Sequence, residues 1–268
     1  MYKRDNWGVL EMIFDMHCHT MEGSPDGLVT INATIEKLKR KGYDGMLVTD
    51  HNSYRGYDSY KNKYDDFVVL RGIEYDSVDG GHLLIILPSR IQYKIFEHRG
   101  MEVQDVIKIV HALGGIIGPA HPYDYFKLGI CNTKWKEDME LLSQFDFIET
   151  FNGCLNRKGE ILSLNLAKEL DKPCFGGSDS HSLIKVGLGQ TEFPYAIKSE
   201  DDLIKCVKQA DFETLKASGK RFEYKHDTLH SMSVVTGGFA YDLFNHCISV
   251  NHKKKANAIL SALGVNNG

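Results

Sequence analysis

Long apolar runs are missing from this chain. No stretch approaches 18 uncharged apolar residues, which leaves no candidate transmembrane helix. The opening segment, Met1 to Leu10, is polar and charged and lacks the apolar core of a secretion signal. The cysteines (Cys18, Cys131, Cys154, Cys174, Cys206 and Cys247) form no CxxC pair and no regular spacing. They read as reduced thiols, and the expected location is the cytoplasm. A basic stripe is absent as well: net charge is −4, and Lys253-Lys254-Lys255 reads as a solvated helix face or tail. Nucleic acid is therefore not the expected partner, and neither is a membrane. No internal repeat, low-complexity segment, GxSxG or cysteine-phosphatase signature occurs, so no protein nucleophile is indicated.

What remains is an ordinary globular composition, 42% hydrophobic and 25% charged over 268 residues. Short apolar runs alternate with segments of helical period, the pattern of a parallel α/β architecture. Strands are expected at Met12–Met16, Asp44–Thr49, Phe67–Gly72, His82–Leu87, Gly115–Ala120, Phe145–Phe151 and Pro173–Gly177. Helices are expected at Thr30–Lys41, Val103–Leu113, Glu137–Ser143 and Glu160–Leu170, then a trailing strand Thr191–Tyr195 and helix Glu200–Gln209. Seven strands with helical crossovers suit a closed or nearly closed barrel occupying residues 1–220. Residues 221–268 form an extension of unassigned role, with a helix-like stretch at Lys254–Leu263.

The metal-competent residues fall at the carboxyl ends of successive strands. These ends read Asp15-Met16-His17-Cys18-His19, Thr49-Asp50-His51-Asn52, Gly72-Ile73-Glu74, Ala120-His121-Pro122 and Gly177-Ser178-Asp179-Ser180-His181. In parallel barrels this is the face on which ligands assemble. Strand periodicity places His17 and His19 on one side and Cys18 on the other, where it packs. Asp179 and His181 have the same spacing. Mixed histidine and carboxylate sets suit Zn²⁺, Mn²⁺ or Fe²⁺. By contrast His98, His111, His226, His230, His246 and His252 lie outside the series and read as ordinary structural histidines.

The ordered series HCH at 17–19, SPDG at 24–27, TDHN at 49–52, GIE at 72–74, GHLL at 81–84, AHP at 120–122 and GSDSH at 177–181 resembles the PHP family. That family is named for polymerase-associated domains and histidinol phosphatase. The resemblance runs from Met12 to Ala210 and implies a distorted seven-stranded barrel holding two or three divalent ions (Mn, Zn or Fe). It implies a first ion on His17, His19, Glu74 and Asp179. Glu74 would bridge to a second on His82 and His121. A third would take His51, His181 and Asp26, with Glu22 as the competing acid. Asp50, next to a ligand, is expected to orient an imidazole.

The activity implied is hydrolysis of a phosphate ester. A metal brings the pKa of water near ~7 and two ions clamp phosphate oxygens, with Glu74 and Asp179 holding the ions. His181 or the third ion would serve the leaving alkoxide. Arg55, Arg157 with Lys158, and Asn152 are the candidate substrate contacts. No polymer-handling module is visible, so a small phosphorylated metabolite or nucleotide is expected. Two alternatives stand: an amidohydrolase-type enzyme, which shares HxH, and a noncatalytic metal-binding domain.

Overall fold

The computed structural model describes residues 11–60, 64–92, 94–124, 128–222 and 255–265. Ten strands and six α-helices follow one another between Met12 and Gly219: β1 (Met12–Cys18), α1 (Ile31–Arg40), β2 (Gly45–Val48), α2 (Arg55–Ser59), β3 (Val68–Arg71), β4 (Ile73–Asp76), β5 (His82–Ile86), α3 (Val103–Ala112), β6 (Ile116–Pro119), α4 (Met139–Leu142), β7 (Ile148–Asn152), α5 (Arg157–Leu170), β8 (Cys174–Gly177), β9 (Gly189–Phe193), α6 (Glu200–Gln209) and β10 (Lys216–Gly219). Every strand expected from the sequence is present, with ends shifted by up to a few residues; β4, β10 and α2 were not expected.

The helices follow local chemistry. Thr30 caps α1, its hydroxyl accepting from the Ala33 amide at 3.3 Å, and Lys37, Lys39 and Arg40 face the negative end of the dipole. Ile31, Ile35 and Leu38 fall on one face of α1 and are buried. Ser199 caps α6, and Glu200, Asp201 and Asp202 fill its first turn.

The strands do not form one parallel seven-stranded barrel. Among the described residues they form three sheets, ordered β10-β9-β1-β2-β3, β4-β5-β6 and β7-β8. β1, β2 and β3 are parallel, and so are β7 and β8. The β4-β5-β6 sheet is antiparallel, as are the β1–β9 and β9–β10 pairs. Connection length accounts for β4 and β5. They are joined by residues 77–81, which include Asp79-Gly80-Gly81, and a link that short closes a hairpin. A parallel crossover needs about a dozen residues or more.

Two isolated bridges, Cys18 to Ser180 and His51 to Glu74, tie the sheets together where β1, β2, β4 and β8 meet. Register shifts between Asp15 and Cys18. Met16 packs with Phe14, Phe147 and Phe175, while Cys18 packs with Ile31, Ile35 and Leu38 of α1. Strict alternation would put Met16 and Cys18 on one side; the irregularity separates them, as bulges beside functional sites do. Phe14, Phe175 and Phe193 are completely buried, and Phe147 stacks on Phe175 at 3.9 Å. Gly177 has no room for a side chain: a Cβ there would lie 2.3 Å from the Cβ of His17. Glycine lets β8 run flush against the histidine-bearing end of β1.

The helix-like stretch near the end of the chain is a helix over residues 255–262. Its Ala256 and Leu260 are fully buried in the cluster built from β4, β5, α3 and α5. His226, His230, His246, His252 and Cys247 lie outside the described residues.

Candidate metal centre

A single carboxylate organises the site. Glu74, on β4, is 1% exposed. Its Oε1 lies 3.0 Å from His82 Nδ1 and 3.1 Å from His121 Nε2. Its Oε2 lies 3.3 Å from His17 Nε2, 3.2 Å from His19 Nε2 and 3.3 Å from His51 Nδ1. Five imidazoles from β1, β5 and the loops after β1, β2 and β6 thus converge on one buried group. Burial alone would raise the Glu74 pKa; the His51, His17 and His82 rings override it and hold the carboxyl well below its ordinary value.

Among the described residues four subsets have ligand spacing; one is His51, Asp76 and His82, and the other three are made of residues read from the sequence. Of these three, His17, His19 and Asp179 form the first; their nitrogens lie 3.6 and 3.3 Å from Asp179 Oδ1. Glu74, His82 and His121 form the second. His19, His51 and His181 form the third, at its half-exposed edge joined by Asp26, whose Oδ2 is 3.1 Å from His181 Nε2 and 3.8 Å from His51 Nε2. All nine metal-ligand candidates read from the sequence are therefore brought together. Glu22 is not: its carboxylate accepts the Ile31 amide at 3.1 to 3.2 Å, at the start of α1.

The donor set fits divalent ions. His17 Nε2 and His19 Nε2 face each other at 3.1 Å, two nitrogens that both carry lone pairs unless protonated. Glu74 Oε2 and His121 Nδ1 are buried without a hydrogen-bond partner among the described residues. Buried polar atoms in proteins are nearly always satisfied, and a cation bound by Glu74 would satisfy its oxygen. The backbone is also held out of its comfortable range here. His121 and Asp179 adopt φ of 28° and 50°, and Asn52, next to His51, 47°. Non-glycine residues in the left-handed region concentrate at functional sites, where surrounding contacts hold them.

Polar partners hold these rings from behind. Glu149 on β7, completely buried, has Oε1 2.9 Å from His17 Nδ1, while its Oε2 accepts the His121 amide at 2.6 Å. Ser24 Oγ lies 3.0 Å from His19 Nδ1 and accepts the His51 amide at 2.9 Å. The Nδ1 of His181 donates to the carbonyl of Asp179 at 3.1 Å. Asp76, two residues beyond Glu74, has Oδ1 3.1 Å from His51 Nδ1. Neither Asp76 nor Glu149 was singled out from sequence, although both carried a signal. Asp76 shares the strand face of Glu74 by the i, i+2 rule that pairs His17 with His19, and Glu149 is a charge inside an apolar run.

The expectations for Asp50 and Asn152 are corrected. Asp50 does not orient an imidazole; its oxygens accept from the amide and hydroxyl of Thr20 at 2.6 and 2.8 Å, closing the loop after β1. Asn152 is 2% exposed and its amide donates to Glu149 at 3.1 Å and Asp179 at 3.3 Å, so it braces two carboxylates. Arg55, Arg157 and Lys158 are exposed in the first turns of α2 and α5, which leave the site-bearing ends of β2 and β7. His111 makes a surface pair with Asp146 at 3.0 Å, the structural role expected of it.

Comparison with known proteins agrees with this geometry. The PHP domain model matches residues 15–176, more than half of the chain, and a PHP-associated model matches residues 162–211. An uncharacterised protein of Methanocaldococcus jannaschii is 26% identical over 175 residues, covering 60% of this chain and 95% of that protein. Among solved structures, a two-domain protein of Bacteroides vulgatus containing a predicted PHP-like metal-dependent phosphoesterase superposes with TM-score 0.57 at 17% identity, over 82% of this chain and 68% of that one. The lesion-specific endonuclease Q of Pyrococcus furiosus superposes with TM-score 0.54 at 18% identity, over 75% of this chain and 56% of the longer endonuclease. With the ordered motifs gathered on one carboxylate and the domain model spanning them, this chain belongs to the PHP domain family.

Proposed function

We propose that this protein hydrolyses phosphate esters at a centre of two or three divalent ions, Mn, Zn or Fe. The observation that carries the reading is Glu74, one buried carboxylate placed between two sets of imidazoles. In this reading His17, His19, Asp179 and Glu74 hold a first ion, Glu74, His82 and His121 a second, and His51, His181 and Asp26 a third. When bound, such ions supply Lewis acidity toward phosphoryl oxygens and lower the pKa of water from ~15.7 toward ~7.

The chain's own residues do the rest. Glu74 sets the spacing between the first two positions. Glu149 and Asn152 fix the orientation of His17 and Asp179, so the donors need no rearrangement as charge builds up. His181, partly open to solvent with Nδ1 fixed on a carbonyl, presents Nε2 either to the third ion or to the departing alkoxide, which needs a proton or a cation. Arg55 and Arg157, exposed in the first turns of α2 and α5, are assigned to the substrate phosphate. Asn152 is not, because it is buried behind the carboxylates.

Small phosphate monoesters, phosphorylated metabolites or nucleotides, are the first substrates to test. The expectation against nucleic acid finds no support among the relatives, since an endonuclease shares the fold, and phosphodiesters stay within the reading. Among the described residues no helix is long and apolar enough to cross a membrane.

The deciding assay is phosphate release by Mn²⁺-loaded protein across a panel of monoesters and nucleotides, with Glu74→Ala beside it. Release that falls on the order of 100-fold or more in Glu74→Ala supports the reading. Metal-loaded protein that releases phosphate from nothing would overturn it for small monoesters. A phosphodiester, an amidohydrolase-type reaction, or metal binding without catalysis would then be the readings left.

A further inference from the structure

Asp76 has no place in the motif series or in the three proposed ligand sets, although with His51 and His82 it makes a fourth group of ligand spacing. It is 2% exposed, yet every polar atom of its carboxylate faces a partner. Oδ1 lies 3.1 Å from His51 Nδ1 and 3.6 Å from His82 Nε2. Oδ2 accepts the Asn52 amide at 2.6 Å and faces Arg99 Nη2 at 3.0 Å. The grip is reciprocal: the Asp76 backbone amide donates to Asn52 Oδ1 at 3.0 Å, and its carbonyl accepts from Gly100 at 2.9 Å. Asn52 itself is held with φ of 47°. Asp76 already lies at ligand spacing with His51 and His82, and the Asn52 amide and Arg99 hold its Oδ2 in that place.

The two imidazoles it faces belong to different ligand sets. His51 turns Nε2 toward Asp26 and keeps Nδ1 on Asp76. His82 turns Nδ1 toward Glu74 Oε1 and Nε2 toward Asp76. An ionised carboxylate only accepts, so His51 Nδ1, hydrogen-bonded to Asp76, carries the proton and its Nε2 keeps the lone pair, while His82 Nε2 at 3.6 Å makes an ion-pair contact longer than a hydrogen bond. The same logic applies to Glu149 and His17, at the first set. Asp76 differs in serving two rings at once.

We infer that Asp76 is a positioning residue shared by the second and third metal positions, setting the ring orientation of His51 and His82 together so that these two positions fill as a coupled pair. The inference rests on the metal-centre reading above. Loss of an outer carboxylate partner weakens metal binding by about 10–100-fold, and here one substitution would weaken two positions while sparing the first.

The test is site-counted metal binding: Mn²⁺ titration of the full chain, with bound metal per chain measured by elemental analysis after buffer exchange, on wild type, Asp76→Asn, Asp76→Glu and Asn52→Ala. Asp76→Asn keeps shape and an acceptor but removes the charge. It should retain a first ion at wild-type affinity and lose affinity for the others by about 10–100-fold. Asn52→Ala, which frees Asp76 on one side, should move the same two positions by a smaller factor, and Asp76→Glu should recover part of the loss. Thermal melts of the metal-free proteins identify any variant that does not fold, and Asn52→Ala decides the matter if Asp76→Asn is such a case. Equal weakening of every ion, or wild-type affinity in both variants, would overturn the inference. Wild-type protein that binds no ions would instead overturn the metal-centre reading, a distinguishable result.

Discussion

Glu149 Oε1 lies 2.9 Å from His17 Nδ1, joining two completely buried side chains 132 residues apart in sequence. This contact fixes which nitrogen of His17 points into the site. It also links β7 to β1, strands belonging to different sheets. Burial pushes the His17 imidazolium toward losing its proton, but Glu149 and Glu74 outweigh burial and hold its pKa well above the ordinary value.

Glu149→Gln should therefore weaken the first metal position by about 10–100-fold, because the amide cannot balance a cation on the far side of the ring. Competition with a chelating dye, read against wild type, measures this. Unchanged first-site affinity would show that the Glu149–His17 contact serves folding only.

Asp26 and Glu22 compete on paper for the third position and part company in the structure. Asp26→Asn should lower the number of bound ions by one at limiting metal, since its carboxylate faces His51 and His181. Glu22→Gln should leave that number unchanged and cost about 0.5–2 kcal/mol in stability, because Glu22 receives an amide at the start of α1. Elemental analysis and denaturant unfolding separate the two. The reverse pattern would reassign the ligand to Glu22.

Stability should fall with rising pH in the metal-free protein and hold in the metal-loaded protein. Burial alone would lower the His51 and His121 pKa values. Glu74 and Asp76 override it at His51, raising it to about 10, and Glu74 and Asp124 do so at His121, raising it to about 9. Raised imidazole pKa values stabilise the folded state fully below the unfolded value of ~6.5, and that stabilisation is lost as pH rises through 9 to 10. Chelator-treated protein should thus melt at lower temperature as pH goes from about 6.5 to about 10. Metal must displace those protons, so metal affinity should climb over the same window and the loaded protein should hold its stability. A metal-free melting temperature that is flat or rising across this window would contradict the protonated cluster.

Much of the site could be read along the chain because its ligands sit at strand ends in order. The HCH and GSDSH spacings put pairs of donors near one another through strand periodicity alone, and a positional rule for α/β folds places such ends together. The same periodicity, applied to Glu74-Tyr75-Asp76, points to Asp76. Asp50 shows the opposite failure. Adjacency to His51 suggested service to an imidazole, but the loop after β1 returns to it and Thr20 takes both oxygens. The antiparallel β4-β5-β6 sheet lay hidden for a related reason: strand β4 directly follows β3, with only Gly72 between them, so the two read as a single run.

The sequence by itself determined what is local. It set the strands and helices, their caps, the face each donor takes on its own strand, and the order of motifs that marks the family. Only the tertiary structure decided which carboxylate the imidazoles share, that Glu149 and Asp76 stand behind them, and that the strands divide into three sheets. Those facts depend on pairing between segments far apart in the chain. A buried charge is tolerated only where partners from several strands arrive together, and that arrival is settled when the sheets pack.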